Sequence, residues 1–194
     1  MRQSLLFILV ALSLGTSLRA AEPPISDDFA SSDDSIRRAT RGPWKFEENT
    51  AFCTQDDKLY KKFKDHGPAL WYDVDFTDAT VAFSMKPDEN VQSFIFTING
   101  SDGHIFRFVS RDRGTFIKAF AHEGEPDGSL DREGPPLRPG EWTDVTVTFS
   151  GDTAEVKIGD YEKTVSHPAI DHSKTTVGLG FSFGTMAFRN VSVK

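Results

Sequence analysis

Along most of this chain, hydrophobic residues recur at every second position. In LWYDVDF, Leu70, Tyr72, Val74 and Phe76 fall on one side, and Trp71, Asp73 and Asp75 on the other. VQSFIFTI repeats the pattern with Phe94, Phe96 and Ile98, and WTDVTVTFS with Val145, Val147 and Phe149. HIFRFVS and TFIKAFA flank the turn RDRG, and TAEVKIG and YEKTVS flank Gly159-Asp160, a hairpin signal. The chain closes on VGLGFSF and MAFRNVSV, separated by a Gly-Thr break. A strand presents alternate side chains to alternate faces, so this period predicts about eleven or twelve short strands; no stretch sustains the 3.6-residue period of a helix. The fold class that follows is all-β, with two antiparallel sheets facing each other in a β-sandwich of jelly-roll type. Seventeen phenylalanines supply the core bulk. The closing strand is expected beside one of the first, with Phe181, Phe183 and Phe188 turned inward, because pairing it hides edge groups. Residues 22–41 read as a polar wrap around the sandwich edge. Residues 122–141, rich in Gly, Pro and charge, read as a long loop that is either functional or a tolerated excursion.

The first 21 residues break this pattern. Arg2, the apolar run LLFILVALSLG and the small residues of TSLRAA make a secretory leader, with cleavage expected after Ala20 or Ala21. The expected organisation is a signal peptide at 1–21 and one domain at 22–194, exported to the periplasm or cell exterior. No later segment is apolar enough to span a bilayer, so no membrane span is expected in the mature chain. Losing Arg2 and Arg19 leaves 20 basic against 29 acidic residues, a net charge of −9. An acidic chain without a basic run argues against nucleic acid as a partner. Cys53 is the single cysteine and cannot staple its own chain; it reads as a small buried hydrophobe.

Candidate chemistry is sparse. Glycosidases need two carboxylates at a set separation. The nearest approach to a Glu-x-Asp-x-x-Glu strand motif is EPDGSL, Glu125 to Leu130, which lacks the last Glu. Asp73 and Asp75 share a strand face beside Trp71, which suits a sugar: the ring stacks on a pyranose while the carboxylates accept its hydroxyls. The same pattern also describes the solvent face of a half-buried strand. Of the five histidines, His104 and His122 flank adjacent strands and are the better site candidates; the His167–His172 spacing is not a zinc pair. No metal site or cofactor fingerprint is present, so no cofactor is expected. Trp142 and Trp44, at strand entries, read as covers for the core.

GEWTDVTVTFSGDTAEVKIGD, followed by the closing VGLG and FRNV, resembles the concanavalin A-like jelly roll of the 3-keto-disaccharide hydrolase domain family. SDDF and LWYDVDFTDATVAFSMK are similar to that family's first strands, and GHIFRF to its Gly-Ile-x-x-Arg strand, which places Arg107 at the corresponding Arg. The resemblance implies an exported, carbohydrate-associated protein acting on a 3-keto-glycoside by cleavage or hydration, with His104, His122, Asp73 or Asp75 as acid and base near Arg107. The segment after Arg107 reads FVSRDRGTFIKAF, without the family's Tyr-Glu-x-Gln, and Thr143 stands where Glu-Trp-Asn would end. A non-catalytic glycan-binding or surface-interaction module therefore stands beside the enzyme, with a carbohydrate ligand in either case.

Overall fold

The computed structural model describes residues 21–32 and 35–194; the expected leader at 1–21 lies outside them except for Ala21. Fifteen strands are present among the described residues. Four are in the first third of the chain: β1 (Ile25–Asp27), β2 (Arg38–Thr40), β3 (Lys45–Glu47) and β4 (Thr50–Thr54). A short helix, α1 (Asp57–Lys62), leads into β5 (Ala69–Phe76), β6 (Ala79–Pro87), β7 (Ser93–Gly100), β8 (Gly103–Arg111) and β9 (Gly114–Ala119). Then come β10 (Ser129–Gly134), β11 (Thr143–Ser150), β12 (Thr153–Ile158), β13 (Tyr161–Ser166), β14 (Lys174–Ser182) and β15 (Thr185–Val193).

These strands form the expected two-sheet sandwich. One sheet runs β13-β12-β11-β6-β15-β4-β3, with β1 also on β15. The other runs β10-β9-β8-β7-β14-β5-β2. Every pairing between named strands is antiparallel, and Ala21 adds one parallel bridge to Val74. The inward residues of both sheets meet in one core. Leu70, Tyr72 and Val74 of β5, Phe94, Phe96 and Ile98 of β7, and Val145, Val147 and Phe149 of β11 are all buried. Phe96 stacks on Phe108 at 5.1 Å and on Phe83 at 5.9 Å, so the aromatic rings span the two sheets. The closing strand behaves as its pattern predicts. β15 is flanked by β6 on one side, and by β4 and then β1 on the other. That central place buries a segment that the linear sequence leaves at the end of the chain.

Several sequence expectations are corrected. Residues 22–41 contribute β1 and β2, and residues 122–141 contain β10, so both are partly structured edges. The helix α1 was not foreseen. Six residues are too few to show a helical period; Asp56 caps it, its carboxylate accepting from the backbone N–H groups of Lys58 and Leu59. Phe181 and Phe188 are core residues, but Phe183 is not. It lies in the turn between β14 and β15 with φ 62°, and its ring packs on Tyr60 of α1 at 5.3 Å. Among the described residues Arg189, on the closing strand, has no ion-pair partner. It donates to Thr50 Oγ1 and lies 4.3 Å over Trp142. Trp142 thus sits on the outer face of the first sheet rather than over the core, whereas Trp44 packs on Phe181 and Phe188 as a core cover. Cys53 is buried, and desolvation pushes its thiol up to about 12, which leaves it inert.

Two polar seams join the sheets. Asp27 of β1 accepts both oxygens' worth of bonds from Arg37 at 2.8 Å, and a third from the Tyr72 hydroxyl of β5 at 3.0 Å. Arg37 is 2% exposed and lies 4.0 Å over the Phe46 ring. At the far edge, Asp131 of β10 accepts from Tyr161 at 2.8 Å and pairs with Lys163 at 3.0 Å, both on β13. Burial alone would push the Asp131 carboxyl up; the bonds from the Glu133 N–H, Lys163 and Tyr161 outweigh it and hold the carboxyl low. A third fixture is Lys174, 1% exposed, whose ammonium donates to the carbonyls of Thr77, Ile170 and His172. Its three N–H donors are thereby satisfied.

Candidate functional site

The outward face of the second sheet is hollowed by small residues. Gly178 and Gly180 of β14, Ser93 and Thr97 of β7, and Ala69 of β5 make the floor of a groove of about 400 Å³. The register places Trp71, Gly178, Thr97 and Arg107 in one row across four adjacent strands. Trp71 lies down across the vacant Cβ position of Gly178, where an added methyl would collide with its Cζ3. Glycine here is a packing requirement, since its backbone angles are ordinary. One wall is the segment from Tyr60 to Pro68, delivered by α1. Gly67 lets that wall approach, because a side chain there would strike the Phe181 carbonyl. Phe183, in its turn, braces the helix.

The opposite wall is cationic. Arg107 is half-buried; its Nε donates to Thr97 Oγ1 at 3.2 Å and its Nη2 to His104 Nε2 at 2.9 Å. His104 Nε2 must then be the acceptor, so the proton sits on Nδ1 and is donated to Asn99 Oδ1 at 2.7 Å. Partial burial, and then the nearby Arg107 charge, hold the His104 pKa below its usual value. The ring is therefore a neutral prop for the arginine. Phe120 backs both groups, 4.9 Å from the His104 ring and 5.1 Å from the Arg107 guanidinium. At the other end Arg41, with a left-handed φ of 61°, brings its guanidinium to 5.9 Å from the Trp71 ring. Its Nε is buried without a hydrogen-bond partner. Desolvation lowers the pKa of both arginines. Arg111 and His66 complete the lining, with Asp65 as its one carboxylate among the described residues.

A second hollow of about 580 Å³ adjoins the first and shares Arg111 with it. Arg113, Arg132, Thr115 and Phe116 line it, together with Asp112, which lies 4.0 Å from Arg113.

Of the residues singled out in the sequence, Trp71, His104 and Arg107 come together in the groove. Asp73 and Asp75 share the Trp71 strand but do not line it. Asp73 is engaged by Arg38 through two bonds of 2.7 Å, and the hydrogen bond from that guanidinium holds its carboxyl low. His122 lies elsewhere, beside His172 at 4.4 Å in a hollow between the β7–β8 turn and the segment before β14. His167 is structural: its Nδ1 accepts from the Ala169 N–H, and its Nε2 donates to the Pro126 carbonyl. Arg41, His66 and Arg111 were not foreseen. Arg41 follows a short edge strand, His66 follows a helix, and neither is in phase with the pattern that reveals Trp71.

One detail explains why His104 and Arg107 meet at all. Three residues apart on a regular strand, they would face opposite ways. Asn99 pairs with His104 while Ile98 pairs with Phe106, so Ile105 is an extra residue in β8. This bulge resets the phase and puts both side chains in the groove.

No protein-family model matches the chain, and a comparison with curated proteins finds no match. Solved structures share the fold. The carbohydrate-binding module CBM66 from Bacillus subtilis superposes with a TM-score of 0.59 at 13% identity, covering 81% of this chain and 94% of that one. A Bacillus licheniformis β-glucanase gives 0.63 at 9% identity, covering 88% and 97%. A sialidase gives 0.64 at 10% identity over 90% of this chain, but the match spans only 18% of the sialidase's length.

Proposed function

We propose that this protein is a non-catalytic glycan-binding module whose ligand lies in the groove over Trp71. The observation that carries this reading is the Trp71 ring set against Gly178 in a groove bordered by Ser182, Arg41 and Arg107. A flat aromatic surface beside hydrogen-bonding groups suits a sugar ring, which has an apolar face and a polar rim. The names of several fold neighbours, a carbohydrate-binding module and a β-glucanase among them, are in keeping with it. A pair of opposed carboxylates would be needed for ordinary glycoside hydrolysis. Asp65 stands alone in the lining among the described residues, and Asp73 is tied to Arg38. The test is a glycan array followed by calorimetry on the hits. Trp71→Ala should weaken any hit by about 2 kcal/mol, roughly thirtyfold, as a central aromatic contact does. Absence of any glycan ligand would sink the proposal.

The meeting of His104 and Arg107 in one groove favours a second reading, the cleavage or hydration of a 3-keto-glycoside with His104 moving the proton. Turnover of 3-keto-trehalose, abolished by Arg107→Ala, would establish it; no turnover by the unaltered protein would dismiss it. In either reading the leader at 1–21 would deliver the protein outside the cytoplasm. N-terminal sequencing of the mature protein should find a start at Ala21 or Glu22.

A further inference from the structure

The charge of the groove runs against the charge of the chain. The protein carries a net −7, yet Arg41, Arg107 and Arg111 line the groove, Arg113 and Arg132 line the adjoining hollow, and among the described residues only Asp65 and Asp112 oppose them. None of the three groove arginines is within ion-pair distance of a carboxylate among the described residues. An arginine withdrawn from water without an anion is costly, and such groups are normally paired. Arg41 and Arg107 are partly withdrawn from water without being neutralised, and Arg111 stands exposed beside them. Thr97 and His104 fix Arg107 through its Nε and one Nη2 hydrogen, which leaves Nη1 and the second Nη2 hydrogen unused. A guanidinium fork held this way matches a carboxylate or sulfate.

Resting on the glycan-binding reading, we propose that the ligand is an acidic glycan. Its carboxylate or sulfate is held by Arg107 and Arg41 beside Trp71, and its chain continues past Arg111 into the second hollow. Five strand spacings separate β5 from β10, about 24 Å at ~4.8 Å each, so an oligosaccharide fits the track better than a single sugar. A polyphosphate or single-stranded nucleic acid offers the same charge. It lacks the hydroxyl-rimmed ring that the Trp71 platform with its Thr97 and Ser182 neighbours would take, and the groove offers no series of exposed aromatic rings for successive bases.

The experiment is calorimetry on the whole protein with paired probes: oligogalacturonate against its carboxyl-reduced form, chondroitin sulfate against its desulfated form, a neutral β-glucan, and polyphosphate as a plain polyanion. The expected result is binding of one acidic probe, at least about tenfold tighter than its neutral counterpart and than polyphosphate. Arg107→Met should erase that preference. Arg111→Gln should reduce it, and at an exposed position this variant keeps the fold. Trp71→Ala should weaken acidic and neutral probes alike. Equal binding of the acidic and neutral members of a pair would overturn the inference and leave the glycan-binding reading standing. Polyphosphate binding as tight as the acidic glycan would also overturn it. Binding of no glycan at all would overturn both.

Discussion

The seam beneath β1 and the groove over β14 both rely on arginine, to opposite ends. The segment SIRRATR shows the contrast within five residues. Arg37 turns into the sandwich and is spent on Asp27, Ser31 and the Phe46 ring. Arg38, next along the strand, is spent on Asp73 at the surface. Arg41 enters the groove and has no ion-pair partner among the described residues; its Nε, like that of Arg37, is buried without a hydrogen-bond partner. The seam carries its counter-charge within the chain, whereas the groove arginines have none among the described residues. Arg37 and Arg38 come with their counter-charges, whereas Arg107 is held by the neutral props His104 and Thr97.

The largest test of the contrast lies in the seam. Arg37→Met should leave the Asp27 carboxylate buried without its cation, at a cost of about 3–5 kcal/mol. Urea denaturation should read this as a lower midpoint with an unchanged slope. Arg107→Met in the absence of ligand should cost no stability, because it removes a desolvated cation that no anion offsets. If both substitutions destabilise alike, the distinction between spent and waiting arginines fails.

Gly178→Ala tests the groove more gently. The new methyl collides with the Trp71 ring, which must swing off the floor, while both strands keep their pairing. Glycan affinity should drop by about tenfold, some 1.4 kcal/mol, with a shift in tryptophan fluorescence. An unchanged affinity would separate the ligand from Trp71.

The smallest effect is electrostatic. The His104 pKa is depressed from 6.5 in the folded protein, so the unfolded chain binds that proton more tightly. The stability this group contributes is present above pH 6.5 and is lost as pH falls through its lower folded value. NMR titration should place His104 below an ordinary histidine. Arg107→Met should bring it only part of the way back, because burial is the larger cause and remains. Full recovery would mean that the arginine, not burial, governs the ring.

The division between legible and hidden follows from geometry. Period-two alternation is a local property, so the strands from β5 onward except β10, most of the inward phenylalanines and the sandwich class could be read directly; β10 lies in the Gly- and Pro-rich stretch that reads as a loop. Trp71 was visible because it sits in phase on a strong strand. Arg107 was picked out by a resemblance and His104 by its place at a strand end. Their convergence was hidden, because a single extra residue at Ile105 inverts the phase between them. Phe183 misled for a related reason: alternation carries on through VGLGFSF, but the chain has already entered a turn.

By itself the sequence determined an all-β sandwich with a phenylalanine core and a last strand that had to be paired, because alternation and burial are written residue by residue. The tertiary structure decided which arginines find carboxylates and which do not. That outcome depends on which partners the fold brings near: Arg37 pairs with Asp27 and Arg38 with Asp73, whereas among the described residues Arg107 is bonded only to Thr97 and His104. Pairing across the fold leaves an acidic chain with a basic groove.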